Sequence, residues 1–181
     1  RLQGAYIPKD DIARLVEGTD KTVSYEVNQH FTAYEQMLPE AERLAAISPN
    51  FVIKLQCIEQ AFKTIEGLAR KNIRANCTLV FSAMQALQAM RAGAYFISPF
   101  IGWKEANGED TRGFLADIMT IRDNYDFSSK IIVAADNPHR MGVKSALSSG
   151  KAVKKMRMRP ANPPAFAPNA MKATIAVGAP W

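Results

Sequence analysis

Four successive segments read as short strands in which every second residue is apolar and the residues between them carry sparse polar groups. They are Thr22-Val-Ser-Tyr-Glu-Val27, Phe51-Val-Ile-Lys-Leu-Gln56, Ala75-Asn-Cys-Thr-Leu-Val-Phe81 and Ala94-Tyr-Phe-Ile-Ser-Pro99. Side chains along a strand point alternately to opposite faces. One parity collects Val23, Tyr25, Val27, Phe51, Ile53, Leu55, Cys77, Leu79, Phe81, Tyr95 and Ile97. The other collects Ser24 and Glu26, then Val52, Lys54 and Gln56, then Asn76 and Thr78, and finally Ser98 between Phe96 and Phe100. A sheet with one apolar face under helices and one face of spaced polar groups is what a barrel with an interior site requires. Repetition on four strands makes the pattern a constraint on the fold.

Lys54 is the sharpest residue in that pattern. An ammonium among Phe51, Val52, Ile53 and Leu55 costs several kcal/mol unless it is paired or loses its proton, about 2–7 kcal/mol being typical even for an unpaired neutral polar group. Desolvation lowers a lysine's pKa and frees its lone pair for attack on a carbonyl, so Lys54 is a candidate amine nucleophile. The competing reading is a lysine near a strand end that reaches out to solvent.

Between the strands lie amphipathic stretches, with connections of a few residues. Helices are expected over Lys9–Glu17, from after Val27 to Ile47 with a break or restart at Pro39, and over Ile58–Arg70, Ser82–Arg91, Asp110–Asn124 and Pro138–Ser149. Ser82 is a candidate N-cap. A fifth strand is expected at Lys130–Ala134, and Ala152–Met158 is a candidate sixth. A βαβα alternation implies right-handed crossovers and parallel strands. Both an open doubly wound sheet and a (β/α)8 barrel meet that requirement. No G-x-G-x-x-G follows any strand, which argues against dinucleotide binding, and the polar parity favours the barrel. Typical barrels run to about 250 residues. The expected fold class is therefore α/β, of (β/α)8 TIM-barrel type but incomplete, with five to six βα units. Residues 1–150 form the partial barrel domain and residues 151–181 a basic, Pro-rich C-terminal tail.

Charge divides at the same place. Residues 1–129 hold 14 Lys/Arg against 16 Asp/Glu, whereas residues 130–181 hold 9 against Asp136 alone. The cluster Lys151–Arg159 could attract nucleic acid or phosphorylated ligands. It lacks interleaved aromatics, and Pro160, Pro163, Pro164 and Pro168 imply extended chain, so a solvated tail is expected and nucleic acid is not expected as a partner. Cys57 and Cys77 read as free thiols, and with no basic-then-apolar leader a cytoplasmic location is expected. No apolar run approaches the roughly 20 residues of a membrane span. His30 and His139 stand alone and no Cys/His cluster has metal-ligand spacing, so no metal is expected.

Four stretches together resemble the transaldolase family of Schiff-base-forming (β/α)8 enzymes: Val23-Ser-Tyr-Glu-Val27, Ile53-Lys-Leu55, Asn76-Cys-Thr-Leu-Val-Phe-Ser82 and Ala92-Gly-Ala-Tyr-Phe-Ile-Ser-Pro-Phe-Ile-Gly102. The likeness covers about residues 4–135. It implies that Lys54 forms an imine with a ketose carbonyl, with no cofactor beyond that covalent Schiff base. It implies that Glu26 and Thr78 position a catalytic water, that Asn76 holds substrate hydroxyls, and that Ser98 contacts substrate near its phosphate end. Phe100 and Glu26 resemble true transaldolase; the fructose-6-phosphate aldolase branch usually has tyrosine and glutamine there. Ser24 and Lys104 complete the candidate substrate contacts, Lys104 as a point charge beside Trp103, where the family has a phosphate-binding arginine.

The expected function is thus transfer of a dihydroxyacetone unit between sugar phosphates in the pentose phosphate pathway. The expected partners are fructose 6-phosphate, sedoheptulose 7-phosphate, erythrose 4-phosphate and glyceraldehyde 3-phosphate, together with further copies of the chain in a homo-oligomer. The alternatives are an aldolase that splits a sugar without an acceptor, and a catalytically silent fragment. Counterparts of the family's first two strands, with a catalytic aspartate and a Thr-Thr-Asn-Pro segment, are not found in the chain. Ile58 and Ala61 stand where the family usually has a small hydroxyl residue and a glycine, and Asp136-Asn-Pro-His-Arg140 fits the pattern poorly.

Overall fold

Strands of β-branched and aromatic residues alternate with helices whose buried positions recur at helical spacing, and the sheet follows from stacking these units side by side. The computed structural model describes residues 8–135, 153–157 and 173–176. In chain order it runs α1 (Lys9–Val16), β1 (Thr22–Glu26), α2 (Tyr34–Ala45), β2 (Phe51–Gln56), α3 (Glu59–Arg70), β3 (Ala75–Val80) and α4 (Ala83–Arg91). It continues with β4 (Phe96–Pro99), α5 (Ile101–Ala106), α6 (Thr111–Asn124), β5 (Lys130–Ala135), β6 (Val153–Arg157) and β7 (Ala173–Ala176). The expected helix at Pro138–Ser149 lies outside the described residues.

All seven strands join one sheet in the order β6-β5-β4-β3-β2-β1-β7. From β1 to β6 every pairing is parallel and sequence neighbours are spatial neighbours. A doubly wound sheet reverses its strand order to place helices on both faces. An order without reversal keeps right-handed crossovers, and hence the helices, on one side. This is the winding of a (β/α) barrel, here an incomplete one. The segment expected as a tail contributes two strands: β6 extends the parallel sheet beside β5, and β7 runs antiparallel along β1, with Val23 opposite Ile175. Pairing supplies partners for strand groups that an edge would leave bare.

The helix side holds the main core. Val23, Tyr25, Phe51, Ile53, Leu55, Cys77, Ile97 and Ile131 pack there against Met37, Leu44, Ile65, Leu68 and Ile118 of the helices. Burial of a side chain such as Ile65 or Leu68 contributes about 1.5–3 kcal/mol. Local signals start the helices. Ser82 accepts from the Gln85 N–H while the Gln85 side chain accepts from the Ser82 N–H, a capping box that opens α4 as expected. Asp110 caps α6 through the N–H groups of Arg112 and Gly113. After α4, Gly93 takes φ 88°, and a Cβ there would stand 2.9 Å from the Ala69 Cβ of α3. The expected break at Pro39 does not occur: α2 passes through it. Pro39 and Glu35, whose carbonyl loses its helical donor, both lie on the exposed side of α2.

Candidate active site

The interior face repeats the polar parity, and register aligns it across strands. Lys54 of β2 stands level with Glu26 of β1 on one side and Asn76 of β3 on the other. A flexible lysine stem in this slot finds a carboxylate directly across the ladder, and Lys54 Nζ donates to Glu26 Oε2 at 3.1 Å. Lys54 is only 9% exposed, and the Glu26 side chain 18%, so the pair is largely withdrawn from solvent. The alternative of a lysine reaching out to water is thereby set aside, and its charge is met by Glu26 rather than left without a partner.

Behind this pair lies a second contact. Asn76, fully buried, donates from Nδ2 to Ser24 Oγ at 3.0 Å. Its carbonyl oxygen Oδ1 is buried without a hydrogen-bond partner. An unsatisfied buried acceptor costs about 1–3 kcal/mol, and such a group in a native interior calls for an explanation. Thr78 and Ser98 are both 2% exposed. Thr78 lies in register with Gln56 at the C-terminal end of β2, and Ser98 lies where the β3–β4 ladder shifts.

That shift redirects two residues. Cys77 pairs with Ile97 and Val80 with Pro99, so β3 carries one residue more than β4 over this stretch. Leu79 absorbs the bulge at φ 60° and is exposed. Val80 takes over the helix-facing place and is fully buried. Leu79 and Phe81, assigned by strict alternation to the helix side, instead line a cleft at the C-terminal ends of the strands. Tyr95 also departs from strict parity, packing with Val52, Phe96 and Ile132 on the interior side.

The cleft measures ≈ 540 Å³ and includes Glu26, Gln29, His30, Gln56, Cys57 and Ile58 in its lining. The Lys54 amine therefore sits one hydrogen bond behind the cleft wall. Periodicity had not singled out Gln29, His30 or Ile58, because they belong to connections beyond the strand ends. Position supplies the missing signal: in parallel βα units, residues just after each strand converge on one rim.

Three aromatic groups gather at the same rim. The Phe81 ring lies 5.5 Å from that of Phe100 and 5.4 Å from that of Trp103. Trp103 remains 56% exposed. Lys104 points elsewhere: it pairs with Glu109, and its Nζ stands 5.0 Å from the Phe114 ring centroid. The structure thus brings Ser24, Glu26, Lys54 and Asn76 into direct contact in pairs, sets Phe100 against the cleft residue Phe81, and turns Lys104 toward α6. No group of three or more His, Cys, Asp or Glu side chains able to hold a metal occurs among the described residues. No described helix is long and apolar enough to cross a membrane.

Fold and site together define a partial (β/α) barrel with a lysine–carboxylate pair inside it and a cleft at the C-terminal rim. Its sequence profile matches that of Transaldolase/Fructose-6-phosphate aldolase over residues 7–151, and the chain belongs to that family. A 6-deoxy-6-sulfo-D-fructose transaldolase of Priestia megaterium is 42% identical over 127 residues, covering 70% of this chain and 56% of the relative. A probable transaldolase of Syntrophomonas wolfei is 43% identical over 140 residues, 77% of this chain and 63% of the relative. A probable transaldolase of Phocaeicola vulgatus is 42% identical over 125 residues, 69% and 55% respectively. The chain thus spans somewhat more than half the length of these relatives.

Proposed function

We propose that this chain carries the Schiff-base centre of a transaldolase, with Lys54 as the nucleophile. The observation that carries the reading is the withdrawn Lys54–Glu26 pair at 3.1 Å. An amine attacks a carbonyl only after giving up its proton, and Glu26 is the neighbouring base positioned to receive it. The neutral amine adds to the keto carbon of fructose 6-phosphate or sedoheptulose 7-phosphate, and loss of water leaves an iminium. The iminium accepts the electron pair of the breaking carbon–carbon bond, releasing glyceraldehyde 3-phosphate or erythrose 4-phosphate and leaving an enamine on Lys54. The enamine carbon then attacks a second aldose phosphate, and hydrolysis frees the product and the amine. No cofactor is required beyond the covalent bond to Lys54.

In this reading Glu26 moves protons through a water that Thr78 helps to hold. The spare acceptor on Asn76 receives a substrate hydroxyl, with Ser24 fixing the amide. Ser98 and Phe100 border the far end of the substrate. Lys104 is less suited to the phosphate than its position in the chain suggested, because Glu109 already balances its charge. The proposed setting is the pentose phosphate pathway in the cytoplasm, with the enzyme as a homo-oligomer.

Borohydride reduction in the presence of fructose 6-phosphate tests the proposal. A stable adduct is expected on the peptide containing Lys54, and Lys54→Ala should abolish it. Equal labelling of both proteins would overturn the assignment of Lys54, and absence of any adduct would leave a silent member of the family. Repeated turnover without an added acceptor, with free dihydroxyacetone released beside glyceraldehyde 3-phosphate, would point to aldol cleavage instead of transfer.

A further inference from the structure

Gln85 stands in the first turn of α4 and also lines the cleft, where it is half-buried. Its side chain accepts from two successive backbone N–H groups, that of Phe81 at 2.8 Å and that of Ser82 at 3.0 Å. A backbone N–H only donates, so the atom that meets both is the carbonyl oxygen Oε1 and not the amide nitrogen. Turning the amide over would forfeit both bonds. The Gln85 backbone N–H is held in turn by Ser82 Oγ at 3.1 Å. Both ends of the residue are fixed.

That leaves the amide nitrogen Nε2. It carries two N–H donors, and among the described residues no acceptor is hydrogen-bonded to it. Gln56, on the same cleft, is engaged the other way round: its Nε2 donates to the Gln29 and Phe31 carbonyls over long contacts of 3.5 and 3.4 Å. Gln85 thus offers the donor that Gln56 has already used. A donor fixed before its ligand arrives loses little freedom on binding.

Its height in the sheet says which part of a ligand it meets. Asn76 is level with both Lys54 and Phe96, and Val80 is level with Pro99, three residues further along β4. The end of β3 therefore lies three ladder steps beyond the Lys54 backbone, about 10 Å. Phe81 follows, its ring 5.5 Å from that of Phe100. A ketose joined to Lys54 through its carbonyl leaves its other end at this level. Lys104 does not serve that end, being paired with Glu109.

We propose that the Gln85 carboxamide donates through Nε2 to a phosphate oxygen at the far end of the ketose, which makes Gln85 a specificity-determining residue of the cleft. The inference rests on the sugar-phosphate reading above and adds to it a neutral, directed donor at the rim. A hydrogen bond to a charged oxygen is stronger than one between neutral groups.

Gln85→Glu separates the two roles of this side chain. A carboxylate still accepts from the Phe81 and Ser82 N–H groups, and glutamate suits this place in a capping box as well as glutamine does. It has no donor to offer, and it sets a negative charge against the phosphate. The melting temperature should therefore hold or rise. Affinity for fructose 6-phosphate, read by titration calorimetry, should fall about tenfold or more. Fructose, which lacks the phosphate, should lose far less. Gln85→Met removes the donor without adding charge, so it should also weaken fructose 6-phosphate, and it should melt lower because the cap is lost.

Unchanged affinity in Gln85→Glu, or weakening in that variant but not in Gln85→Met, would overturn the hydrogen bond. Equal losses for the two sugars would overturn its assignment to the phosphate, and a wild type that binds no fructose 6-phosphate would overturn it outright. Calorimetry needs no imine, so borohydride trapping is scored apart. Gln85→Glu should still trap at saturating sugar. Absence of an adduct in wild type and variant alike would sink the Lys54 reading while the calorimetric comparison stands.

Discussion

The two faces of the sheet are buried alike but built from opposite chemistry. On the helix side, Val23, Ile53, Cys77 and Ile97 contribute to a continuous apolar core in which the loss of any one residue is shared among many neighbours. On the interior side, Ser24, Glu26, Lys54 and Asn76 are hydrogen-bonded in pairs, and each partner has one principal contact. Non-directional burial tolerates approximate geometry, whereas a hydrogen-bonded charge tolerates little. The contrast indicates that the helix side maintains the scaffold while the interior side is specified for chemistry. It also predicts that substitutions on the two sides fail in different ways.

The widest separation is expected from Glu26→Gln. The amide is isosteric and can still accept from Lys54, but it leaves the withdrawn ammonium without a counter-charge, so some stability is lost, and it cannot take a proton. The rate of borohydride-trappable adduct formation should fall by about 10²–10⁴-fold. A variant that traps as fast as wild type would break the assignment of Glu26 as base. The converse is expected from Ile65→Ala on α3, which should destabilise the protein by about 2–5 kcal/mol in denaturant titration. The folded fraction should still form the adduct at Lys54. If instead Ile65→Ala abolished trapping in the folded protein, the division of labour between the faces would be wrong.

The smallest effect tests the other end of the interior side. At the N-terminal ends of the strands, Lys130 Nζ donates to the Tyr95 hydroxyl at 2.7 Å, and Arg74 stands over the Tyr95 ring at 5.4 Å. Burial pushes the Tyr95 phenol up, but the hydrogen bond and charge of Lys130, with Arg74, outweigh it and hold the group below the ordinary tyrosine value. The folded state thus favours the phenolate. The resulting stabilisation is complete above the ordinary tyrosine value and disappears as the pH falls through the folded-state value. Following the phenolate absorbance, wild type should show an early-titrating group that Tyr95→Phe lacks. Identical titrations would remove Tyr95 from the comparison.

Much of the scaffold was legible because alternation and helical spacing are local properties. The strand at Phe51–Gln56 and the start of the helix after Ser82 could be placed from neighbouring residues alone. The shared face of Glu26, Lys54 and Asn76 was legible for the same reason. Leu79 and Phe81 were misassigned because a bulge adds a residue to β3, and its cause lies in pairing with β4 rather than in β3 itself. The direction of Lys104 was equally hidden, because α6 supplies Phe114 and the connection before it supplies Glu109. Pro39 misled because helix propensity does not reveal which carbonyl the surroundings leave exposed.

The order of polar and apolar residues by itself determined that this chain builds parallel βα units and places a lysine on the inner parity of a strand. Tertiary structure alone decided that Glu26 meets that lysine and that Asn76 keeps a free acceptor. The physical reason is range: a strand's alternation is settled within a few residues, whereas a salt bridge and an orphaned carbonyl depend on register between strands distant in sequence.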